Sequence, residues 1–174
     1  LRDATTGAVV ARRSAPHPAT VPPVSEQDPR AWWDALVEAC AALGEHRRDV
    51  AALAVAGQQH GLVLLGSDGE PVRPAKLWND TTSAPQAARL VAELGAAAWA
   101  TRTGSVPLAA FTITKLAWVA EHEPDVLRRA TRVMLPHDYL TWRLTGNHVT
   151  DRGDASGTGW YDPVADEYLP DLLA

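Results

Sequence analysis

The sequence has 174 residues, enough for one domain of ordinary size with a real hydrophobic core. Apolar residues make up 46% and charged residues 21%, the balance of a soluble folded chain and not of a disordered one. The formal net charge is -5 and the densest basic stretches are the pairs Arg12-Arg13, Arg47-Arg48 and Arg128-Arg129, so no nucleic-acid partner and no membrane partner is expected.

The chain opens on Leu1-Arg2-Asp3-Ala4, with no initiator Met and no apolar signal-peptide core, and reads as the end of a strand. A piece in front is therefore expected. Ala8 to Ala11 reads as a short strand after the turn Thr5-Thr6-Gly7, and Pro16, Pro18, Pro22 and Pro23 then interrupt regular structure. Asp28 followed by Pro29 predicts a helix start, an acidic cap with proline at the first helical position. Trp33, Leu36, Val37, Cys40 and Leu43 recur at helical spacing, and Gly44 ends the helix. Cys40 is the only cysteine, which excludes an internal disulfide and any cysteine-based zinc cluster and fits a reducing compartment.

The apolar run from Val50 to Ala56 has the length of a strand buried on both faces and ends at Gly57. Leu62 to Leu65 and Val72 flank the turn Gly66-Ser67-Asp68-Gly69 and predict a hairpin. The loop Gly57-Gln58-Gln59-His60-Gly61 then lies at a strand end, where open α/β sheets place ligands. Further helices are expected from Ser83 to Leu94, from Thr112 to His122 with Leu116, Val119 and Ala120 on one face, from Pro124 to Ala130, and from Pro136 to Leu144 with Gly146 as the stop. Val133 to Leu135 is a short apolar run, and Asp151 to Thr158 is polar and turn-rich. The pattern is mixed α/β, with no stretch of 18 or more apolar residues to make a transmembrane helix.

Three clusters carry chemistry. Gln58-Gln59-His60 offers several donors and acceptors, as a polyhydroxylated ligand requires, and would equally satisfy backbone groups of its own loop. Trp78-Asn79-Asp80 sets an aromatic face beside an amide and a carboxylate, an arrangement that holds sugars but also describes a buried Trp before a turn. Asp154-Ala155-Ser156-Gly157-Thr158 is a substrate-loop candidate through Asp154 and Ser156, or an ordinary turn. No P-loop and no dinucleotide-binding glycine motif occurs. The six histidines lack ligand spacing, so no bound metal is expected, and Trp32, Trp33 and Trp99 read as packing residues.

Taken in order, these segments resemble the FGGY carbohydrate kinases, and the xylulokinases among them. The series runs through Val55-Ala56-Gly57-Gln58-Gln59-His60-Gly61, Arg73-Pro74-Ala75-Lys76-Leu77-Trp78-Asn79-Asp80, Thr103-Gly104 and Phe111-Thr112-Ile113-Thr114-Lys115-Leu116-Ala117-Trp118. It continues through Leu135-Pro136-His137-Asp138-Tyr139-Leu140, Arg143-Leu144-Thr145-Gly146, and Thr150-Asp151 to Thr158, covering roughly residues 50 to 162. The resemblance implies an actin-like, ribonuclease H-like ATPase domain and ATP-dependent phosphorylation of a sugar hydroxyl, with D-xylulose as substrate and ribulose, gluconate or glycerol as alternatives. A non-catalytic sugar-binding domain is the alternative of a different class. Gln59 and His60 map onto the family's sugar-binding loop, where many xylulokinases carry Met in place of Gln59; Trp78, Asn79 and Asp80 map near the same pocket. The resemblance also implies a cytoplasmic protein and a homodimer. It departs in one respect: the family's Asp-x-Gly-Thr phosphate loop is expected upstream of residue 1, and its catalytic aspartate and nucleotide-binding domain beyond residue 174. On that reading residues 1–174 are a partial N-terminal sugar-binding domain that binds neither ATP nor Mg²⁺ alone, holds no catalytic residue and is inactive by itself.

Overall fold

A computed structural model describes residues 1–173. Its layout follows from one apolar strand. β2 (Val63–Leu65) and the preceding Leu62 are wholly excluded from solvent. Successive strand residues face opposite sides, and here both sides are covered. Val63 and Leu65 pack with Trp32, Met134 and Tyr139, while Leu62 and Leu64 pack with Val119. Each such side chain contributes about 1.5–3 kcal/mol on burial, so this short strand organises the domain.

β2 pairs antiparallel with β4 (Arg132–Met134), Val63 opposite Met134 and Leu65 opposite Arg132. On its other edge Leu62 bridges Lys76 of β3 (Ala75–Lys76), which in turn pairs with β1 (Glu26–Gln27). The predicted hairpin turn is present: Gly66 donates to the carbonyl of Glu70 at 2.9 Å and Val72 to that of Leu64 at 3.0 Å.

Helix α1 (Pro29–Ala41) starts where the sequence places it, with the Asp28 carboxylate accepting from the backbone N–H of Arg30 at 3.0 Å. It ends at Ala42, and Gly44 instead opens a 3₁₀ turn, Gly44–Asp49. Its buried aromatic is Trp32, edge-on to Tyr139, whereas Trp33 lies beneath the Arg143 guanidinium. Helices α2 (Ala84–Leu94), α3 (Ala96–Thr103), α4 (Thr112–His122) and α5 (Pro124–Arg129) follow, then α6 (Pro136–Thr145) and the short α7 (Arg152–Ala155). A terminal hairpin pairs β5 (Tyr161–Asp162) with β6 (Glu167–Tyr168). Among the described residues no helix is long and apolar enough to cross a membrane.

Four expectations are corrected. Residues 50–56 form no strand and are exposed apart from the half-buried Val55. A strand buried on both faces needs hydrogen-bonding neighbours, and among the described residues none pairs with this run. The strand near residue 8 reduces to a single bridge, Val9 with Arg2. The turn-rich stretch after Asp151 contains helix α7, because the Asp151 carboxylate caps it by accepting from the N–H of Asp154 at 2.9 Å. Of the face expected on α4, Val119 is buried but Ala120 is exposed.

One buried charge sets a pH dependence. Lys115 of α4 is fully excluded from solvent, and its Nζ donates to the carbonyls of Ala109 and Ala110. Burial lowers its pKa from 10.5 to about 7. Between those values the unfolded chain keeps a proton that the folded chain has released, so stability rises with pH across that window. Chemical denaturation of wild type and Lys115→Met at about pH 7 and about pH 10 is expected to show a rise in the wild type that the variant lacks. Equal slopes in both would refute a neutral buried Lys115.

Candidate functional site

Three segments meet beside the strand layer: the loop of residues 57–61, the N-terminus of α6, and the turn that follows α7. Their close approach depends on missing side chains. A Cβ on Gly57 would come within 2.9 Å of the Cβ of His137, and one on Gly157 within 2.1 Å of the His60 ring.

His60 is the most constrained residue of the loop. Its backbone is left-handed, with φ 65°, a conformation that costs a non-glycine residue about 1–3 kcal/mol. The surroundings impose it. The ring stacks on Phe111 at 4.8 Å between centroids, the carbonyl accepts from Thr112 Oγ1 at 3.2 Å, and Nδ1 lies 3.0 Å from the carbonyl oxygen of Gly157. A carbonyl only accepts, so Nδ1 carries the proton and Nε2 is left with a lone pair. The loop therefore presents a hydrogen-bond acceptor of fixed orientation. The segments around Gln59-His60 and Gly157, separate in the sequence, are one structural unit.

Gln59 is exposed. Its neighbour Gln58 links the loop to the second motif, its Oε1 accepting from the backbone N–H of Trp78 at 3.4 Å. Gln58, Trp78 and Asn79 line a cavity of about 470 Å³ together with Gln27 and His17. Trp78 is 55% exposed, so its ring is available to a ligand, and Asn79 Oδ1 is buried without a hydrogen-bond partner among the described residues. A buried acceptor left unpaired is costly, and a ligand hydroxyl donating to it would remove that cost.

Asp80 does not join them. It is completely buried, and its carboxylate accepts from the N–H of Ser25 at 2.8 Å, the N–H of Thr82 at 3.0 Å, the Thr82 hydroxyl, and Lys76 Nζ at 3.3 Å. Burial alone would raise its pKa, but the bonds from Thr82 and Ser25 and the Lys76 charge outweigh it and hold the group below the usual carboxylate value. Lys76 Nζ also lies 3.1 Å from Glu26 and 3.9 Å above the Trp118 ring. Arg73 binds Glu26 and Glu123, each at 2.7 Å. This buried ionic network ties β1 and β3 to α4. These bonds commit the Asp80 carboxylate to the turn that carries Trp78 and Asn79.

The third motif divides. Ser156 Oγ donates back to the carbonyl of Gly153 at 2.6 Å and so is spent on its own turn. Asp154 is buried, with Oδ2 2.6 Å from Nδ1 of His137; Asp151 Oδ2 lies 3.1 Å from Nε2 of the same ring. The neighbouring Asp138 is buried too, which raises its pKa despite the bond from the Leu135 N–H. Histidine spacing along the chain gives no sign of this cluster, because Asp151 and Asp154 come from a different element.

Comparison with known proteins places these features in a family. A family model described as the N-terminal domain of the FGGY family of carbohydrate kinases matches residues 2–174. The xylulose kinase of Streptomyces coelicolor is 60% identical over 173 residues, covering 99% of this chain and 36% of that protein. The chain thus spans about a third of the length of the curated relatives it matches. The crystal structure of xylulose kinase from Bifidobacterium adolescentis superposes with a TM-score of 0.85 at 42% identity, covering 94% of this chain and 37% of that one. That of xylulose kinase from Rhodospirillum rubrum gives 0.82 at 30% identity, covering 93% and 34%. The mixed helix and strand architecture is the actin-like, ribonuclease H-like class that the sequence motifs imply.

Proposed function

The chain belongs to the FGGY family of carbohydrate kinases, and from that premise we propose that it forms the sugar side of the active-site cleft in a protein that phosphorylates D-xylulose with ATP. The observation that carries this reading is His60, strained into a left-handed conformation and held by Phe111, Thr112 and Gly157 so that Nε2 remains as an acceptor. In this reading Nε2 accepts a hydrogen bond from a sugar hydroxyl. The Gln59 amide reads a neighbouring hydroxyl, Asn79 Oδ1 accepts from another, and the Trp78 ring covers C–H groups of the sugar. Asp80 acts through the turn it secures. Asp154 and Ser156 shape the loop whose Gly157 fixes the His60 ring.

Three helix N-termini of the chain are closed to the phosphates of ATP. The N-termini of α1, α6 and α7 are each engaged by an aspartate of the chain itself, Asp28, Asp138 and Asp151, and a carboxylate there repels an anion. The sequence also contains no Asp-x-Gly-Thr segment. Nucleotide, Mg²⁺ and the base that deprotonates the attacking hydroxyl are therefore assigned to other segments of the complete protein, in the cytoplasm, and this chain alone is inactive.

The test is phosphate transfer from ATP to D-xylulose, D-ribulose, gluconate and glycerol, with the complete protein and with residues 1–174 alone. The complete protein is expected to show its highest kcat/KM for D-xylulose, and the isolated chain no transfer. A higher value for another acceptor would overturn the substrate assignment, and sugar binding without transfer by the complete protein would make it a non-catalytic binder.

A further inference from the structure

We propose that His137, Asp138 and Asp154 form a binding site for one divalent transition-metal ion such as Zn²⁺, with Asp151 orienting the imidazole. The four residues come from two elements, the first turn of α6 and the capped turn of α7. His137, Asp151 and Asp154 bring potential ligand atoms within 4.8 Å of one another, and Asp138 Oδ1 lies 3.3 Å from the same ring.

The ring determines the arrangement. Asp151 Oδ2 lies 3.1 Å from Nε2 and is the carboxylate nearest that nitrogen, so the proposed site carries the ring proton on Nε2 and the lone pair on Nδ1. Nδ1 in turn faces two carboxylate oxygens, Oδ2 of Asp154 at 2.6 Å and Oδ1 of Asp138 at 3.3 Å. A lone pair opposite two carboxylates repels them unless a cation lies between. A proton does not fit the observed directions: both Nδ1 and Asp138 Oδ1 are buried without a hydrogen-bond partner among the described residues, in spite of those short separations.

Asp138 supplies independent support. It is only 5% exposed, and its Oδ2 is fixed by the Leu135 N–H at 3.1 Å, so Oδ1 is the oxygen turned toward the ring. Asp154 is placed by its own N–H, which donates to Asp151 Oδ1 at 2.9 Å. An ion about 2 Å from one imidazole nitrogen and two carboxylate oxygens satisfies all three. Asp151 behind the ring completes the carboxylate–histidine–metal arrangement that orients such ligands. A cavity of about 530 Å³ lined by His137, Thr141, Thr150 and Asp151 adjoins the cluster on the Asp151 side. The imidazole ligand favours Zn²⁺, Co²⁺ or Ni²⁺ over Mg²⁺ and Ca²⁺, which prefer oxygen-only shells.

The experiment uses the complete protein, stripped with chelator and free of nucleotide and sugar. It is titrated with Zn²⁺ by calorimetry, and separately with Co²⁺ followed by visible absorption. The expected result is one equivalent of Zn²⁺ bound, a Co²⁺ d–d spectrum, and no competition from Mg²⁺ at equal concentration. Asp154→Asn and Asp138→Asn are expected to weaken Zn²⁺ binding at least tenfold, and Asp151→Asn about tenfold. Each variant's fold is checked by circular dichroism without metal. Zn²⁺ is expected to raise the melting temperature of the wild type but not of the variants. Absence of binding would overturn the site. Undiminished binding in the three variants would overturn it equally, by placing the ion elsewhere.

Discussion

Asp80→Ala is expected to destabilise the domain by about 3–5 kcal/mol, the cost of removing one partner from a buried ion pair. Lys76 is 1% exposed and Asp80 is not exposed at all. Without the carboxylate, the ammonium retains Glu26 as its only close acidic partner among the described residues, and the N–H groups of Ser25 and Thr82 lose their acceptor. Each orphaned buried donor adds a desolvation penalty. Because Asp80 is held below the usual carboxylate pKa, its contribution is fully present at neutral pH and is lost as pH falls below 3.8 toward the depressed value. Urea unfolding of the wild type and the variant at neutral pH measures the loss. Sugar kinetics of the complete protein, taken at a temperature where the variant remains folded, separate this role from ligand contact. Unchanged stability with a raised KM for the sugar would return Asp80 to the pocket.

Much of the fold was legible because its signals are local. Asp28-Pro29 marks the start of α1, Gly95 and Gly146 stop their helices, and the apolar Val133 and Met134 lie in the strand that pairs with β2. Pairing was not legible. The run at residues 50–56 has strand composition, but hydrogen-bonding partners decide whether a strand forms, and none is present among the described residues. Helix α3 escaped notice because Ala96-Ala97-Ala98 carries no apolar periodicity and follows α2 after the single residue Gly95. The terminal hairpin is too short for an alternating pattern.

The candidate site divides in the same way. The residue types at 58–60 and 78–80 pointed to a polyhydroxylated ligand, but orientation depends on contacts far apart in the chain. Asp80 turns inward because Ser25, 55 positions away, donates to it. His60 is locked by Gly157, 97 positions away. The His137 cluster was invisible for the same reason, since helix α7 brings Asp151 and Asp154 to a histidine on α6.

His60→Ala in the complete protein is expected to lower kcat/KM for D-xylulose about ten- to hundred-fold, equivalent to about 1–3 kcal/mol for a sugar hydroxyl left without its acceptor. Alanine at this position also inherits the left-handed backbone, and a second variant separates the effect of that strain from the loss of the ring. His60→Gly adopts that backbone freely while removing the same imidazole, and its loss is expected to match. The Nδ1 bond to Gly157 and the stack on Phe111 go with the ring, but both face the interior of the loop, whereas Nε2 is the atom assigned to the sugar. Steady-state kinetics of both variants, varying sugar and ATP separately, test most directly whether this chain forms the sugar side of the cleft. The predicted result is a ten- to hundred-fold fall in kcat/KM for the sugar with the KM for ATP essentially unchanged; wild-type sugar kinetics in either variant, or a loss confined to ATP, would contradict it.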